Sequence, residues 1–404
     1  MLKSPLLPIF LTVFVDVLGL TLMFPLLPFY AEHFGASPQM TTTLIASYAA
    51  CQLVSGPILG RASDRFGRKP VLLVSQVGTL AGFLVIGGAH SLWMLFVGRM
   101  IDGMTAGNLS IAQAYISDVT RPADRARSFA LIGIAFGSGF LFGPMISGEL
   151  THHYGFAAPA YLAAALSALS IVLSATLLPG KAALDAIKAQ RAAEEGVVPG
   201  PPVPRRGLAI GRFFTRPLPR RRLLQFFAFT TSFAVITGGL GLFLERQLHY
   251  GARETGWVYG VSGLVGGSIQ GGAMKRLVSR FGEARLALIG FVIMLSTYPF
   301  LGAVRSTAAL LVLVAIASVG VAVLRPCLTS MITKSVSRDE QGAALGTSQS
   351  LASISQIVGP QTAGFLIQHS LLGAYGVAAG VFALAGALLS FRTEPAAADV
   401  ASST

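Results

Sequence analysis

Twelve stretches of mostly apolar residues recur along this chain, and that recurrence decides what it can fold into. A helix needs roughly 20 such residues, rising about 1.5 Å each, to cross the hydrocarbon of a bilayer. The first six stretches lie near 6–30, 41–63, 71–90, 92–117, 127–150 and 157–178. The second six lie near 222–246, 254–275, 284–303, 308–333, 342–366 and 371–391. Only 12% of the 404 residues are charged, half of the roughly 25% that soluble domains carry. A soluble globule, a disordered chain and a disulfide scaffold are excluded, the last because only Cys51 and Cys327 are present, both inside apolar runs. The first run contains Asp16 and lacks a small-residue cleavage pattern, so it reads as a retained helix and not a signal peptide.

The net charge of +13 gains its meaning from its placement. With a cytoplasmic N-terminus, 25 of the 30 Lys and Arg residues fall in inner loops and tails. Three fall outside, at Arg246, Arg253 and Arg305, and two within spans, at Arg99 and Arg325. That asymmetry is the positive-inside pattern and puts both termini in the cytoplasm. Cations spread over short loops between spans need no nucleic acid to explain them. The expected division is a six-helix bundle over 1–178, a cytoplasmic linker over 179–221, a second six-helix bundle over 222–392 and a tail over 393–404. Within the linker, 181–195 suits a short amphipathic helix, and the prolines from Pro199 to Pro204 preclude one. Arg220, Arg221 and Arg222 abut a span, at the height of anionic headgroups.

The halves repeat one another. SDRFG (63–67) matches SRFG (279–282), DRARSFALIG (124–133) matches EQGAALGTSQ (340–349), and GPMISG (143–148) matches GPQTAG (359–364), all near one offset. These features, with GRASDRFGRKP (60–70), GRMIDG (98–103) and GSGFLFGPMISG (137–148), resemble the major facilitator superfamily. The chain is most similar there to drug:proton antiporters of the tetracycline-resistance (Tet) type. The resemblance implies an all-α membrane protein with twelve transmembrane helices in two pseudo-symmetric bundles. It also implies a transporter of the cytoplasmic (inner) membrane that exports a small organic molecule by alternating access. The proton gradient supplies the energy, no cofactor is needed, and a monomer is expected among its lipids.

In the 60–70 loop, Gly60 and Gly67 permit the turn, and Arg65, Arg68 and Lys69 supply cations. Asp64 among them can accept from Arg65 or Arg68, or from a helix N-terminus of the other half. The resemblance implies a latch there that favours cytoplasmic closure. The second copy has Ser279 at that place, a weaker equivalent. On the fifth span, Gly139, Gly143, Ser147 and Gly148 allow close backbone approach and Pro144 allows a bend, so tight packing against the other half is expected.

Charge inside the membrane is the strongest signal, since each such group costs about 2.5–3.5 kcal/mol at a helix centre. Asp16 and Asp102 both lie near mid-membrane, and Arg99 precedes Asp102 by one turn. A carboxylate poised between a neighbouring cation and burial suits proton coupling, and a permanent structural ion pair is the alternative. Arg325 is open to three roles: holding an anionic substrate group, pairing with an acid, or snorkelling. Tyr48, Gln52 and Ser55 share one face of the second span, Gln349, Ser353 and Gln356 one face of the eleventh, and Gln113 lies nearly above Asp102. The resemblance puts these in a central cavity, and helix-to-helix hydrogen bonding is the rival reading.

Tet-type pumps carry further acids in spans three and nine, where this chain has Gly82 and Met294. Coupling is therefore expected to have moved to Asp102, and an amphipathic or weakly cationic substrate suits the cavity better than chelated tetracycline. No metal-ligand spacing, phosphate-binding Gly loop or nucleophile–base set is present, so neither a metal site, ATP drive nor an enzyme is expected. Two rivals stay open: a metabolite importer working by symport or facilitation, and a non-transporting receptor or assembly factor.

Overall fold

The computed structural model describes residues 6–120, 125–184, 186, 210–337 and 340–391. The helices of the first half are α1 (Leu6–His33), α2 (Pro38–Phe66), α3 (Arg68–Gly87), α4 (Leu92–Met104), α5 (Asn108–Val119), α6 (Arg125–Tyr154) and α7 (Ala157–Leu177). Those of the second are α8 (Ile210–Thr215), α9 (Pro217–Leu248), α10 (Ala252–Ser268), α11 (Met274–Phe281), α12 (Glu283–Thr297), α13 (Thr307–Lys334), α14 (Gln341–Gln368) and α15 (Leu372–Phe391). A π turn (Ile269–Ala273) joins α10 to α11, and a 3-10 turn (Tyr298–Ala303) extends α12. The described residues contain no strand.

Among the described residues, eight helices are long and apolar enough to cross a membrane: α1, α2, α3, α7, α9, α12 with its extension, α13 and α15. The chain is a multi-pass membrane protein. The fourth expected span is not continuous, because α4 and α5 hold 13 and 12 residues and are separated at Thr105–Gly107. The side chain of Ser75 enters that gap, bonding the Thr105 carbonyl and accepting from the Gly107 amide at 3.1 Å. A side chain inserted in the helical ladder is a sufficient cause of the break. On α14, Gln and Ser dilute the apolar run.

Local chemistry sets the turns. Gly67 and Gly282, matching positions of the two repeats, adopt φ of 101° and 72°, a region that a side chain disfavours. The repeats also pack alike. Gly143 of α6 rests on Thr21 of α1, and Gly359 of α14 rests on Ala234 of α9. Apolar packing follows the same division, with one core drawn from residues between 213 and 387 and two from residues between 9 and 184. The halves meet through α6 against α10 and α2 against α14.

Two expectations are corrected. The helix expected from 222 begins at Pro217, and two of the three clustered cations turn inward: Arg221 donates to the Leu389 and Ser390 carbonyls at 2.6 and 3.1 Å, and Arg222 is buried and donates to Gln225, while Arg220 stays exposed. Carbonyls at the end of α15 are suited to hold a cation, because the helix dipole is negative there. Gly139 and Gly143 face Val17 and Thr21 of their own half, and it is Gly148 and Pro144 that meet α10, at Ala252, Arg253 and Gly256. Close approach between the halves is permitted by Gly148 and by the glycines of α10, Gly256, Gly260 and Gly263, not by Gly139 and Gly143. The expected helix over 181–195, the prolines from Pro199 to Pro204 and the tail over 393–404 lie largely or wholly outside the described residues.

Candidate functional site

One turn of α4 carries both charges of the fourth span inward. Arg99 and Asp102 are 4% and 3% exposed, and Nη1 of the arginine lies 3.0 Å from Oδ2 of the acid. The guanidinium carbon sits 4.3 Å from the ring centroid of Tyr48 on α2, so a cation–π contact shares its charge. Asp102 faces α3 at its narrowest point. A Cβ on Gly82 would stand 2.8 Å from the Gly98 carbonyl and 3.0 Å from the Asp102 Cβ. There is no space for an acid at position 82, and the carboxylate is presented from the opposite helix instead. The Thr79 hydroxyl is within hydrogen-bond reach of it.

Asp16 on α1 is held differently. Its carboxyl lies near Ser170 of α7, Gln76 of α3 and Asn108 of α5. Gln76 in turn donates to Ser170 Oγ at 2.7 Å and accepts at its backbone carbonyl from Ser167. Three buried acceptors in this cluster have no donor among the described residues: Asp16 Oδ1, Gln76 Oε1 and Asn108 Oδ1. The break in the fourth span matters here, since α5 begins at Asn108, in the lining of the same cavity as Asp16, and brings the positive end of its dipole there.

Asp16 and Asp102 line one cavity of about 100 Å³, together with Tyr48, Gln52, Asn108 and Gln349. The structure therefore assembles five of the residues singled out in the sequence, four from the first half and Gln349 from α14 of the second. Gln113 is exposed and lies beyond the helix break, so it does not stand over Asp102. Arg325 and Gln356 are exposed and do not line this cavity. Sequence reasoning passed over Gln76, Thr79, Asn108 and Ser170. A signal existed for three of them: Gln76 and Thr79 share a face of α3 with Phe83, and Ser167, Ser170 and Ser174 stripe one face of an otherwise apolar α7.

The loop expected over 60–70 is reduced to a turn at Gly67, since α2 runs to Phe66 and α3 starts at Arg68, and Arg68 is the organising cation there. It lies 2.6 Å from Asp64 and 3.1 Å from Asp118 of α5, and donates to Ser63 at 2.7 Å. Lys69 caps α7 through the Ala175 and Leu178 carbonyls, and Arg65 lies over Phe66. Far from this end, polar bonds join the halves. Arg246 reaches Glu32 at 2.6 Å, Arg253 and Trp257 each reach Glu149 at 2.9 Å, and Gln361 bonds Gln39 and Thr43. Toward the basic loops the same helices part, and a Cβ added at Gly56, Gly60, Gly342 or Gly346 would meet nothing within 4 Å. Among the described residues, the polar bonds between the halves lie at the end with few cations, and α2 and α14 have parted toward the basic end.

The chain matches the Major Facilitator Superfamily over residues 9–277 and 271–404. It is 28% identical over 365 residues to the class B tetracycline resistance protein of Escherichia coli, covering 88% of this chain and 87% of that one. The class C protein of Escherichia coli is 30% identical over 361 residues, covering 86% of each. Among solved structures, that of the human organic anion transporter MFSD10 superposes with a TM-score of 0.71 at 23% identity, covering 95% of this chain and 98% of that one. The nucleoside transporter NupG superposes with a TM-score of 0.73 at 15% identity, over 97% of this chain and 100% of that one.

Proposed function

This chain belongs to the Major Facilitator Superfamily, and from that premise we propose that it exports a small amphipathic organic molecule across the cytoplasmic membrane in exchange for protons. It is a membrane transporter and not an enzyme. In the proposed working form, twelve spans make two six-helix bundles that rock about the cavity at Asp16 and Asp102, with α4 and α5 together counting as one span. The basic end, with 25 of the 30 cations, is the cytoplasmic one, so the described conformation opens inward.

One observation carries the proton: the three donorless oxygens of Asp16, Gln76 and Asn108. A carboxylate is acceptor-only, whereas a carboxylic acid donates one bond. Protonating Asp16 supplies the missing donor and satisfies two of the three oxygens at once. Removing the proton restores the mismatch, which the positive end of the α5 dipole then offsets. Asp102, fixed by Arg99 and adjoining the same cavity, sets the local charge against which that proton is taken up or released. Asp64 and Arg68, paired across the Gly67 turn at the basic end, would engage the other half when that end closes.

The test is substrate-driven proton movement in inverted membrane vesicles, comparing the wild type with Asp16→Asn and Asp102→Asn. A panel of carboxylates, amphipathic cations, tetracyclines and neutral antibiotics is added to an established gradient. Some member is expected to dissipate the gradient in the wild type, and Asp16→Asn is expected to abolish the response. Proton flow of the opposite sign turns the reading into symport. No response from folded, inserted protein overturns proton-coupled export of this class.

A further inference from the structure

Arg325 is an intramembrane cation that the proton site does not use. On α13 its exposed neighbours of apolar character, Val312 and Ile316, are 59% and 44% exposed and mark the lipid face. At about 100° per residue, Arg325 lies roughly 180° around the helix from Ile316 and only about 20° from Ser318. Ser318 faces inward, where its hydroxyl meets Ser262 of α10. So α13 is exposed on two opposite sides, one apolar and one bearing Arg325. The second side is open interior, not lipid, which removes snorkelling as its role.

Its level in the membrane follows from the same contact. Helices α10 and α13 run in the same direction, and two turns beyond Ser262 and Ser318 stand Ile269 and Arg325. Arg325 is therefore level with the π turn, with which α13 is in contact. There Gln270, Gly271 and Gly272 are exposed, and the two glycines border open space. Counting about 1.5 Å per residue from the basic end, Arg325 lies roughly 14 Å deep, Asp16 roughly 15 Å and Gln349 roughly 12 Å. Gln349 and Gln356 share the inward side of α14, opposite Val358 and Phe365, so they face the same interior.

No hydrogen bond or ion pair engages the Arg325 guanidinium among the described residues. Every described acid of the second half is already committed: Glu245 to Arg246, Glu254 to the Gly251 amide, Glu283 to Lys334 and Glu340 to Arg216. Asp102 is committed to Arg99, and Asp16 lies in the first-half cavity, which Arg325 does not line. A water-reachable cation in the membrane with no counter-charge of its own is a site for a charge that arrives.

We propose that Arg325 binds the anionic group of the transported molecule, a carboxylate or an acidic phenol on an apolar body, with Gln349 and Gln356 as neutral donors beside it. The proposal rests on the transporter reading and replaces the expectation of a weakly cationic substrate. Guanidinium is suited to this because its fork meets a carboxylate with two parallel bonds. Substrate charge would then be held by the second half and the proton by the first.

The test reads binding, not transport, on the purified full-length chain in a neutral detergent free of anionic lipid. Salicylate and its uncharged amide, salicylamide, are compared by the ligand-induced shift in thermal unfolding. Salicylate is expected to give a saturable rise in Tm and salicylamide none. Arg325→Gln should abolish the salicylate rise, and Arg325→Lys, which keeps the charge but loses the fork, should weaken it at least about tenfold. Equal shifts from the two compounds, no shift from either, or a full salicylate shift in Arg325→Gln each overturns the proposal. If Arg325→Gln does not fold, an unweakened response in Arg325→Lys does the same. Because no proton is measured, failure here leaves proton-coupled export standing, and a salicylate shift beside silent vesicles removes the coupling alone.

Discussion

The two halves of this chain share an architecture and divide its chemistry. At the offset of 216 that relates GPMISG to GPQTAG, Asp16 corresponds to Ser232, Asp102 to Ser318 and Arg99 to Ala315. Each serine is satisfied by neutral partners: Ser232 donates to the Ala379 carbonyl at 2.7 Å, and Ser318 to the Val314 carbonyl at 2.6 Å. Conversely, Arg325 corresponds to Leu109. Packing positions were kept in both copies, as the matching roles of Gly143 and Gly359 show, because a glycine at a helix crossing is demanded by geometry alone. Charge was kept in only one copy at each place, because an intramembrane charge without a task is a standing cost. What differs between the halves is therefore a better guide to function than what they share.

The sharpest way to break this comparison is to remove Arg99. Asp102 would be left as a buried charge, and losing one partner of a buried pair costs about 3–5 kcal/mol. Arg99→Gln is expected to lower the unfolding midpoint strongly, and Arg99→Gln with Asp102→Asn to recover most of the loss. The second-half counterpart of Arg99 is Ala315, which has no charge to remove, and Ser318→Ala, at the counterpart of Asp102, removes only a neutral hydrogen bond worth about 1 kcal/mol. Thermal unfolding of the purified variants checks both. If the double variant is no better than Arg99→Gln, the arginine acts through Tyr48 packing and not through the ion pair.

A smaller effect sharpens the account of how the acid came to lie on α4. Gly82→Ala puts a Cβ against the Gly98 carbonyl and Asp102, and overpacking of that kind costs about 1–3 kcal/mol. The destabilisation should be as large in Asp102→Asn as in the wild type, because the clash is with the Gly98 carbonyl and with the Asp102 Cβ and backbone, which asparagine keeps. A smaller effect in Asp102→Asn would show that the carboxylate contributes to it. The same unfolding assay with the two single variants and the double variant separates these. Equal stability of Gly82→Ala and wild type would show that α3 and α4 are not held at this crossing.

Much of this was legible in the sequence. Apolar length located the helices to within a few residues, since span length is fixed by the bilayer. The repeats located Gly67 and Gly282, whose backbone conformations only glycine adopts readily. Isolated charges located Asp16, Arg99 and Asp102. The break at Thr105–Gly107 was not legible, because its cause is Ser75, a side chain 30 positions away on another helix. For the same reason Asp16 had no nameable partner: Gln76, Asn108 and Ser170 come from three helices whose rotation about their axes is set only by packing. The facing of Gly139 and Gly143 toward α1 was missed likewise, since a stripe of small residues says that something approaches closely and not what approaches.

The smallest effect lies outside the membrane, where the second half tethers its own entrance. Glu340 precedes α14 and is held by Arg216 through two bonds of 2.7 and 3.1 Å, with Arg212 alongside. The hydrogen bond from Arg216, followed by the charge of Arg212, holds its carboxyl at about 2, against a usual 4.5. A carboxyl depressed on folding contributes stability above its unfolded value and loses that contribution as pH falls toward the folded one. The difference in Tm between wild type and Glu340→Gln is therefore expected to be constant from pH 8 to about pH 5.5 and to shrink from about pH 4.5 toward pH 2. It should also fall with added salt, because both arginines are nearly half exposed. A difference that grows on acidification would mean that Glu340 is protonated in the folded chain, and would undo the pairing of α8 and the start of α9 with the entrance to α14. The first-half counterpart, Asp124, lies outside the described residues, so applying the same titration to Asp124→Asn asks whether the tether, unlike the charges in the membrane, was kept in both copies.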